Sequence, residues 1–151
     1  MNDLQIEISE MSLKDLEEIK DTLSQNFDDL WSYNVFKLEL SNVLSKYVVA
    51  KQNAKIIGFA GMQIILDEAN IMNIVTKTDS RNLGIASSML SELFTIAKKY
   101  KLKFINLEVN ENNDAAINLY EKFGFKQVGL RHKYYNNKDN AVLMTSNLQK
   151  I

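Results

Sequence analysis

Apolar and polar residues recur at two different periods along this chain, and the switches between the periods mark its elements. Residues 4–8 alternate one by one, as a half-buried strand does. Leu13, Leu16, Ile19 and Leu23 then recur at helical spacing. Ser12 stands before them as an N-cap with Asp15 three residues on, an acidic capping box, and this helix is expected to end near Asn26. Residues 27–34 (FDDLWSYN) are irregular, acidic and aromatic, and residues 35–44 read as a second short helix. Residues 47–50 form a strand, 52–55 a turn, and 56–66 a long strand. The strand contains Gly58 and Gly61, which point to a bulge or to close approach of another backbone. Asp67 and Glu68 close a hairpin into a strand over 69–76, so the pairing here is antiparallel rather than doubly wound. Residues 85–100 form the central helix, with Ile85, Met89, Leu90, Leu93 and Ala97 apolar and Lys98, Lys99 and Lys101 at its negative end. Residues 104–109 (FINLEV) read as a buried strand and 110–113 as a polar turn. Residues 114–123 form a helix carrying Ala116, Leu119, Tyr120 and Phe123 on one face, and Gly124 stops it. Two strands, 125–135 and 141–148, close the chain. The order β-α-α-β-β-β-α-β-α-β-β predicts a mixed α/β sheet carrying helices, in one domain over residues 1–151.

Composition narrows the chemistry. The 151 residues are 46% hydrophobic and 25% charged, ordinary for a globular protein with a proper core. A formal charge of −1 gives no electrostatic case for bulk nucleic-acid or membrane binding. With no Cys, disulfides, thiolate metal sites and cysteine nucleophiles are excluded together, which fits a cytoplasmic location. The single His excludes a zinc site of the H-E-x-x-H kind, and no metal is expected. The acidic N-terminus is not a signal peptide, and the longest apolar run, 56–66, is too short to span a bilayer. Pro is absent, so Gly, Asn, Asp and Ser must make the turns.

The most informative stretch is residues 73–90 (NIVTKTDSRNLGIASSML): strand, tight turn, helix. A helix's first-turn N–H groups and positive dipole end attract anions. Gly84 would let the backbone approach such a group closely, Ala86 is nearly as small, and Arg81 adds a fixed charge at the mouth. The reading is a pyrophosphate site. Taken alone, it competes with an ordinary strand-to-helix turn that binds nothing. Neither G-x-x-x-x-G-K-[ST] nor G-x-G-x-x-G occurs.

Arg81, Gly84 and Ala86 spell R-x-x-G-x-A, which resembles motif A (Q/R-x-x-G-x-G/A) of the GNAT acyl-CoA N-acyltransferases. Leu107-Glu108-Val109, Asn113, Ala116-Ile117, Leu119-Tyr120-Glu121 and Phe123-Gly124-Phe125 resemble the L-E-V…N…A-I-x-L-Y-E-x-x-G-F run of the RimI-type branch of that family. Leu66-Asp67-Glu68-Ala69 with Asn73-Ile74 is similar to that branch's L-D-E-A…N-I, and Trp31-Ser32 to its P-W-S. Residues 131–135 with 141–144 are similar to its Y-Y…D-A-x-x-M tail. The resemblance covers nearly the whole chain. It departs at Ala86 for the commoner Gly, Leu30 for Pro, Thr76-Lys77 at the strand end, Asn110 for Arg, and Asn140 for Asp after a short turn.

The resemblance implies a GNAT fold, a mostly antiparallel sheet with splayed strands flanked by helices. It implies acetyl-CoA as cofactor and coenzyme A as product. The partner would be a protein N-terminus, the Ala of a small-subunit ribosomal protein, with the enzyme a monomer or weak dimer. Its cofactor cradle would be Ile74, Val75, Thr76, Arg81, Asn82, Leu83, Gly84, Ile85, Ala86 and Ser87. Asn113 and Tyr120 would lie along the pantetheine arm, and a backbone N–H near Val75 would serve the oxyanion. Acyl transfer to an amine requires removing a proton from an ammonium of pKa roughly 7.7–8.0 and returning one to the leaving thiolate. Glu108 is the implied base, acting through water, and desolvation at the end of a buried strand would suit it to work near neutrality. Read without the resemblance it is a carboxylate on one strand face. Tyr120 is the implied acid, since a phenol of pKa about 10 protonates a thiolate without itself being ionised; otherwise it is a core aromatic. Trp31, Glu68 and Tyr135 would hold the peptide, or serve as a core anchor, a turn acid and a strand aromatic. Asn113 also reads as an N-cap, and His132 as part of a solvated basic edge. Two other readings stay open: a GNAT acting on a small amine, polyamine or lysine side chain, and a non-catalytic acyl-CoA-binding module.

Overall fold

Strand boundaries are set by partners as much as by sequence. The computed structural model describes residues 5–23, 32–80, 84–135 and 138–149. Its strands are β1 (Ile6–Glu10), β2 (Ser45–Gln52), β3 (Lys55–Ile65), β4 (Glu68–Thr76), β5 (Phe104–Asn110), β6 (Phe125–Tyr135) and β7 (Asp139–Asn147). They form a 7-stranded sheet in the order β1-β2-β3-β4-β5-β7-β6. The pairs β1–β2, β2–β3, β5–β7 and β6–β7 are antiparallel. Strands β4 and β5 run parallel, with Glu68, Ala69 and Asn70 opposite Phe104, Ile105 and Asn106. Helices α1 (Leu13–Glu18), α2 (Tyr33–Ser41), α3 (Ile85–Lys99) and α4 (Asp114–Lys122) flank it. This is the mixed, mostly antiparallel α/β architecture expected. The chain divides into two compact units, Met1–Ile64 with Met72–Ile96, and Ile65–Ile71 with Ala97–Ile151.

In the first unit, β1 lies two residues later than expected, because its pairing with β2 runs through to Glu10 opposite Val48. Ser12 and Asp15 make the predicted capping box. The Ser12 N–H donates to Asp15 Oδ2 at 2.9 Å and the Asp15 N–H donates to Ser12 Oγ at 3.2 Å. Helix α1 is shorter than expected. The Ile19 N–H bonds to the Leu16 carbonyl at 3.2 Å, an i→i−3 bond that tightens the chain into a 3₁₀ turn over Lys20–Thr22. The expected continuation over 24–26 lies outside the described residues. Helix α2 begins and ends earlier than expected. Ser32 Oγ caps it by accepting from the Val35 N–H, and the Asn42 side chain takes the Leu44 N–H at 2.9 Å, a turn that competes with further helix.

Met11, Leu16, Ile19, Leu23, Phe36, Tyr47, Val49, Ile56 and Phe59 form the core of this unit. The Phe36 ring meets Phe59 and Tyr47 edge to face, with centroids 5.0 and 5.9 Å away. The expected bulge and the close approach of another backbone both fall at Gly58, where a Cβ would lie 3.0 Å from the Val75 carbonyl oxygen. The β2–β3 register shifts beside Gly58, and Gly61 sits where a Cβ would overlap the Tyr47 ring. The Tyr47 hydroxyl donates to Glu39 Oε2 at 3.3 Å and accepts from Asn73 Nδ2 at 3.0 Å, while Gln63 Nε2 donates to Glu39 Oε1 at 2.7 Å. Burial pushes the Tyr47 phenol well above its ordinary value and the Glu39 carboxylate pushes the same way, so the phenol stays a donor. On α3, Ile85, Met89, Leu90, Leu93 and Ala97 are all buried, as their spacing predicts.

In the second unit, β5 alternates instead of being buried throughout: Ile105, Leu107 and Val109 face inward, and Asn106, Glu108 and Asn110 the other way. Strand β7 starts at Asp139, ahead of its expected start, because Asn140 is tied to Glu111. The Glu111 N–H donates to the Asn140 carbonyl at 3.0 Å, and the Asn140 N–H donates to Glu111 Oε2 at 3.1 Å. Gly124 takes φ +84° at the stop of α4.

Asp15 supplies a test of this fold. Burial raises its carboxyl, but the Ser12 hydrogen bonds and the Lys51 ammonium 2.9 Å away together hold it below the usual 3.8. A carboxyl lowered by folding adds stability above its unfolded value, and that stability is lost as pH falls through the folded value. Asp15→Asn should therefore lower unfolding free energy at pH 7 by on the order of 1 kcal/mol. The gap from wild type should narrow in denaturant titrations below pH 3.8. Gly61→Ala, which drives a methyl into the Tyr47 ring, should cost about 1–3 kcal/mol in the same titration.

Candidate active site

The first unit carries the anion-binding candidates. Ile74, Val75 and Thr76 end β4 half-buried, and the Lys77 N–H donates to the Ile57 carbonyl at 2.8 Å. A 3₁₀ turn, Thr78–Ser80, follows. Arg81, Asn82 and Leu83 lie outside the described residues. Gly84 takes φ +75°, a left-handed conformation that disfavours any side chain, and a Cβ there would meet no atom within 4 Å. The backbone is thus bare and accessible where α3 begins. Its first helical bond runs from the Ser88 N–H to the Gly84 carbonyl at 3.1 Å. The amides of Ile85, Ala86 and Ser87 precede that bond and have no intrahelical acceptor. Buried Ile85 fixes the helix start, so these donors and the positive dipole end are held in place. A pyrophosphate needs such a cradle, and the residues present fit one.

The second unit carries the acid–base candidates. Glu108 is not desolvated as expected: its side chain is 30% exposed and pairs with Arg131 Nη2 at 2.7 Å. Alternation along β5 turns it away from the buried row of Leu107 and Val109. Tyr120 is half-buried on α4, its ring against Phe125 with centroids 5.7 Å apart. Asn113 is the N-cap of α4, its Oδ1 accepting from the Ala116 N–H at 3.1 Å. Glu68 is no loose turn acid. Its Oε1 accepts from Asn106 Nδ2 at 2.8 Å, and Asn106 Oδ1 accepts from Thr145 Oγ1 at 2.7 Å. Trp31 and the Tyr135 side chain lie outside the described part of the structure, and His132 is exposed on β6. Among the described residues no acidic or histidine cluster suits a metal ion, and no helix is long and apolar enough to cross a membrane.

Sequence reading missed Arg131 and Asn106. In the sequence Arg131 belongs to the solvated basic edge around His132 and to the tail similarity, and Asn106 to a buried strand; only the pairing of β4, β5, β6 and β7 brings them to Glu108 and Glu68. No local signal could have found them.

The model of the acetyltransferase (GNAT) family matches residues 12–125. The chain belongs to the GNAT family. It is accordingly an acetyl-CoA-dependent N-acetyltransferase by family. A relative from Haemophilus influenzae, the [ribosomal protein bS18]-alanine N-acetyltransferase, is 34% identical over 91% of this chain and 95% of its own length. The Escherichia coli protein of that name is 34% identical over 76% of this chain and 78% of its own. The crystal structure of the ribosomal-protein-S18-alanine N-acetyltransferase from Escherichia coli superposes with a TM-score of 0.88 at 27% identity, covering 97% of this chain and 96% of that one.

The capping role of Asn113 in this GNAT chain is directly testable. Asn113→Ala should lower thermal stability by about 1 kcal/mol, the usual cost of an N-cap. Asn113→Ser should restore most of it, since Ser caps equally well.

Proposed function

We propose that this GNAT enzyme acetylates the α-amine of a protein N-terminus, the N-terminal alanine of a small-subunit ribosomal protein. The observation that carries the reading is the end-to-end similarity to the Haemophilus influenzae bS18-alanine N-acetyltransferase, 34% identity over 91% of this chain. The chain works as a single domain over residues 1–151, as a monomer or weak dimer in the cytoplasm, without nucleic acid, membrane or metal.

Acetyl-CoA supplies the acetyl group as a thioester. Arg81 and the backbone from Asn82 through Leu83, Gly84, Ile85 and Ala86 to Ser87 hold its pyrophosphate by charge and by first-turn amides. Ile74, Val75 and Thr76 line the pantetheine side. Asn113 Oδ1 is spent on the α4 cap, so Asn113 would offer its amide N–H to that arm. Trp31, Glu68 and Tyr135 hold the acceptor peptide. Glu108 takes a proton from the acceptor ammonium through water, and the neutral amine attacks the thioester carbonyl. A backbone N–H near Val75 donates to the carbonyl oxygen as it gains charge. The Tyr120 phenol gives its proton to the departing sulfur. With no Cys in the chain, transfer is direct, within a ternary complex.

The test is coenzyme A release from acetyl-CoA with two matched peptides, one with a free N-terminal Ala and no Lys, the other N-blocked with one Lys. Release with the first alone is expected. Release with the second alone would move the enzyme to lysine or small-amine acceptors, and silence with both would overturn the reading. Glu108→Gln and Tyr120→Phe should each lower kcat by roughly 10²–10⁴-fold, the usual contribution of a general acid or base, with acetyl-CoA binding retained.

A further inference from the structure

Between Gln127 and Arg131 strand β6 meets β7 with one residue too many, and a second irregularity follows between Arg131 and Tyr135. Gln127 lies opposite Met144 and Gly129 opposite Leu143, which leaves Val128 as a bulge. Strand side chains alternate with a period of two, so one inserted residue moves every later side chain to the other face. The bulge places Arg131 opposite Ala141, which Asn110 faces from the β5 side; Glu108 faces Leu143. Arg131 and Glu108 therefore stand on one face of the sheet, with β7 between them. The crossing is low: Ala141 carries only a methyl group, and Leu143 leans over the bare backbone of Gly129, its Cδ1 3.2 Å from where a Cβ would be. The Arg131 side chain spans β7, its Nη2 2.7 Å from Glu108 Oε1 and its guanidinium carbon 4.8 Å from the centre of the Tyr134 ring. An ion pair whose Arg side chain is 52% exposed adds little stability. What the arrangement supplies is a fixed orientation.

We propose that Arg131 is a positioning residue for the reaction. It holds Glu108 Oε1 so that the second carboxylate oxygen is aimed to receive, through water, the proton of the acceptor ammonium. Stacking on Tyr134 braces the guanidinium, and the Val128 bulge puts it on the right face. This rests on Glu108 being the base.

The experiment is a double-mutant cycle on initial rates with the N-terminal Ala peptide: wild type, R131Q, E108Q and the double variant, with R131K beside them. R131Q should lower kcat by roughly 10- to 100-fold, the scale of a misplaced catalytic group, and leave the KM for acetyl-CoA unchanged. R131K, which keeps the charge but not the planar fork, should recover part of the loss. The double variant should be no slower than E108Q, because Arg131 acts only through Glu108. A wild-type rate for R131Q, or losses that multiply in the double variant, would overturn the proposal. E108Q at the wild-type rate would instead remove the base assignment, and Arg131's role with it. Thermal unfolding of R131Q should stay within about 2 °C of wild type, as for a surface substitution. If R131Q does not fold, the same cycle run with R131K decides on the same criterion.

Discussion

The two-residue period of a β-strand is the constraint on which the polar face of the second unit depends. Along β5 it sends Ile105, Leu107 and Val109 inward and turns Asn106, Glu108 and Asn110 the other way. Strand β7 keeps this register without interruption from Phe104 opposite Asn147 to Asn110 opposite Ala141. Strand β6 does not: its register shifts at Val128 and again between Arg131 and Tyr135, and the extra residue at Val128 puts Arg131 on the face of Glu108. A single slip in either pairing would bury a carboxylate and expose a leucine, which is why the register is strongly specified.

On that face polar groups are matched in detail. The Asn106 amide donates to Glu68 at 2.8 Å and to Asn70 at 3.2 Å, and accepts from Thr145. One side chain thereby links β4, β5 and β7, using both kinds of hydrogen-bonding group it owns. Farther along, Asn140 lies against the Glu111 carboxylate, to which its backbone and side-chain N–H groups both donate. An Asp at 140 would bring two carboxylates together, so the departure of this chain from the D-A-x-x-M tail has a local electrostatic reason.

The first unit solves a different problem, that of ordering a helix start and an apolar core with few glycines. Gly61 yields its side-chain space to Tyr47, whose hydroxyl then joins Glu39 and Asn73 in a partly buried network. Such a network is stabilising only when its members are mutually satisfied, and the Gln63 bond to Glu39 completes it. Gly84 does the opposite: it leaves its space open at the start of α3.

Sequence by itself determined the order of the described elements, the capping box at Ser12 and Asp15, the buried face of α3 and the stop at Gly124, because each depends on residues within one or two turns of each other. The spaced residues around Glu108 and Tyr120 also pointed to the family, since their pattern is a linear one. Helix ends at Ile19 and Asn42 were not legible, because weak local hydrogen bonds there outcompete continued helix. Tertiary structure alone decided that Glu108 stands half-exposed beside Arg131 rather than desolvated, and that Glu68 is held by Asn106. Those outcomes depend on strand order and on the bulge at Val128. A bulge is a property of two strands in register, and no single stretch of sequence records it.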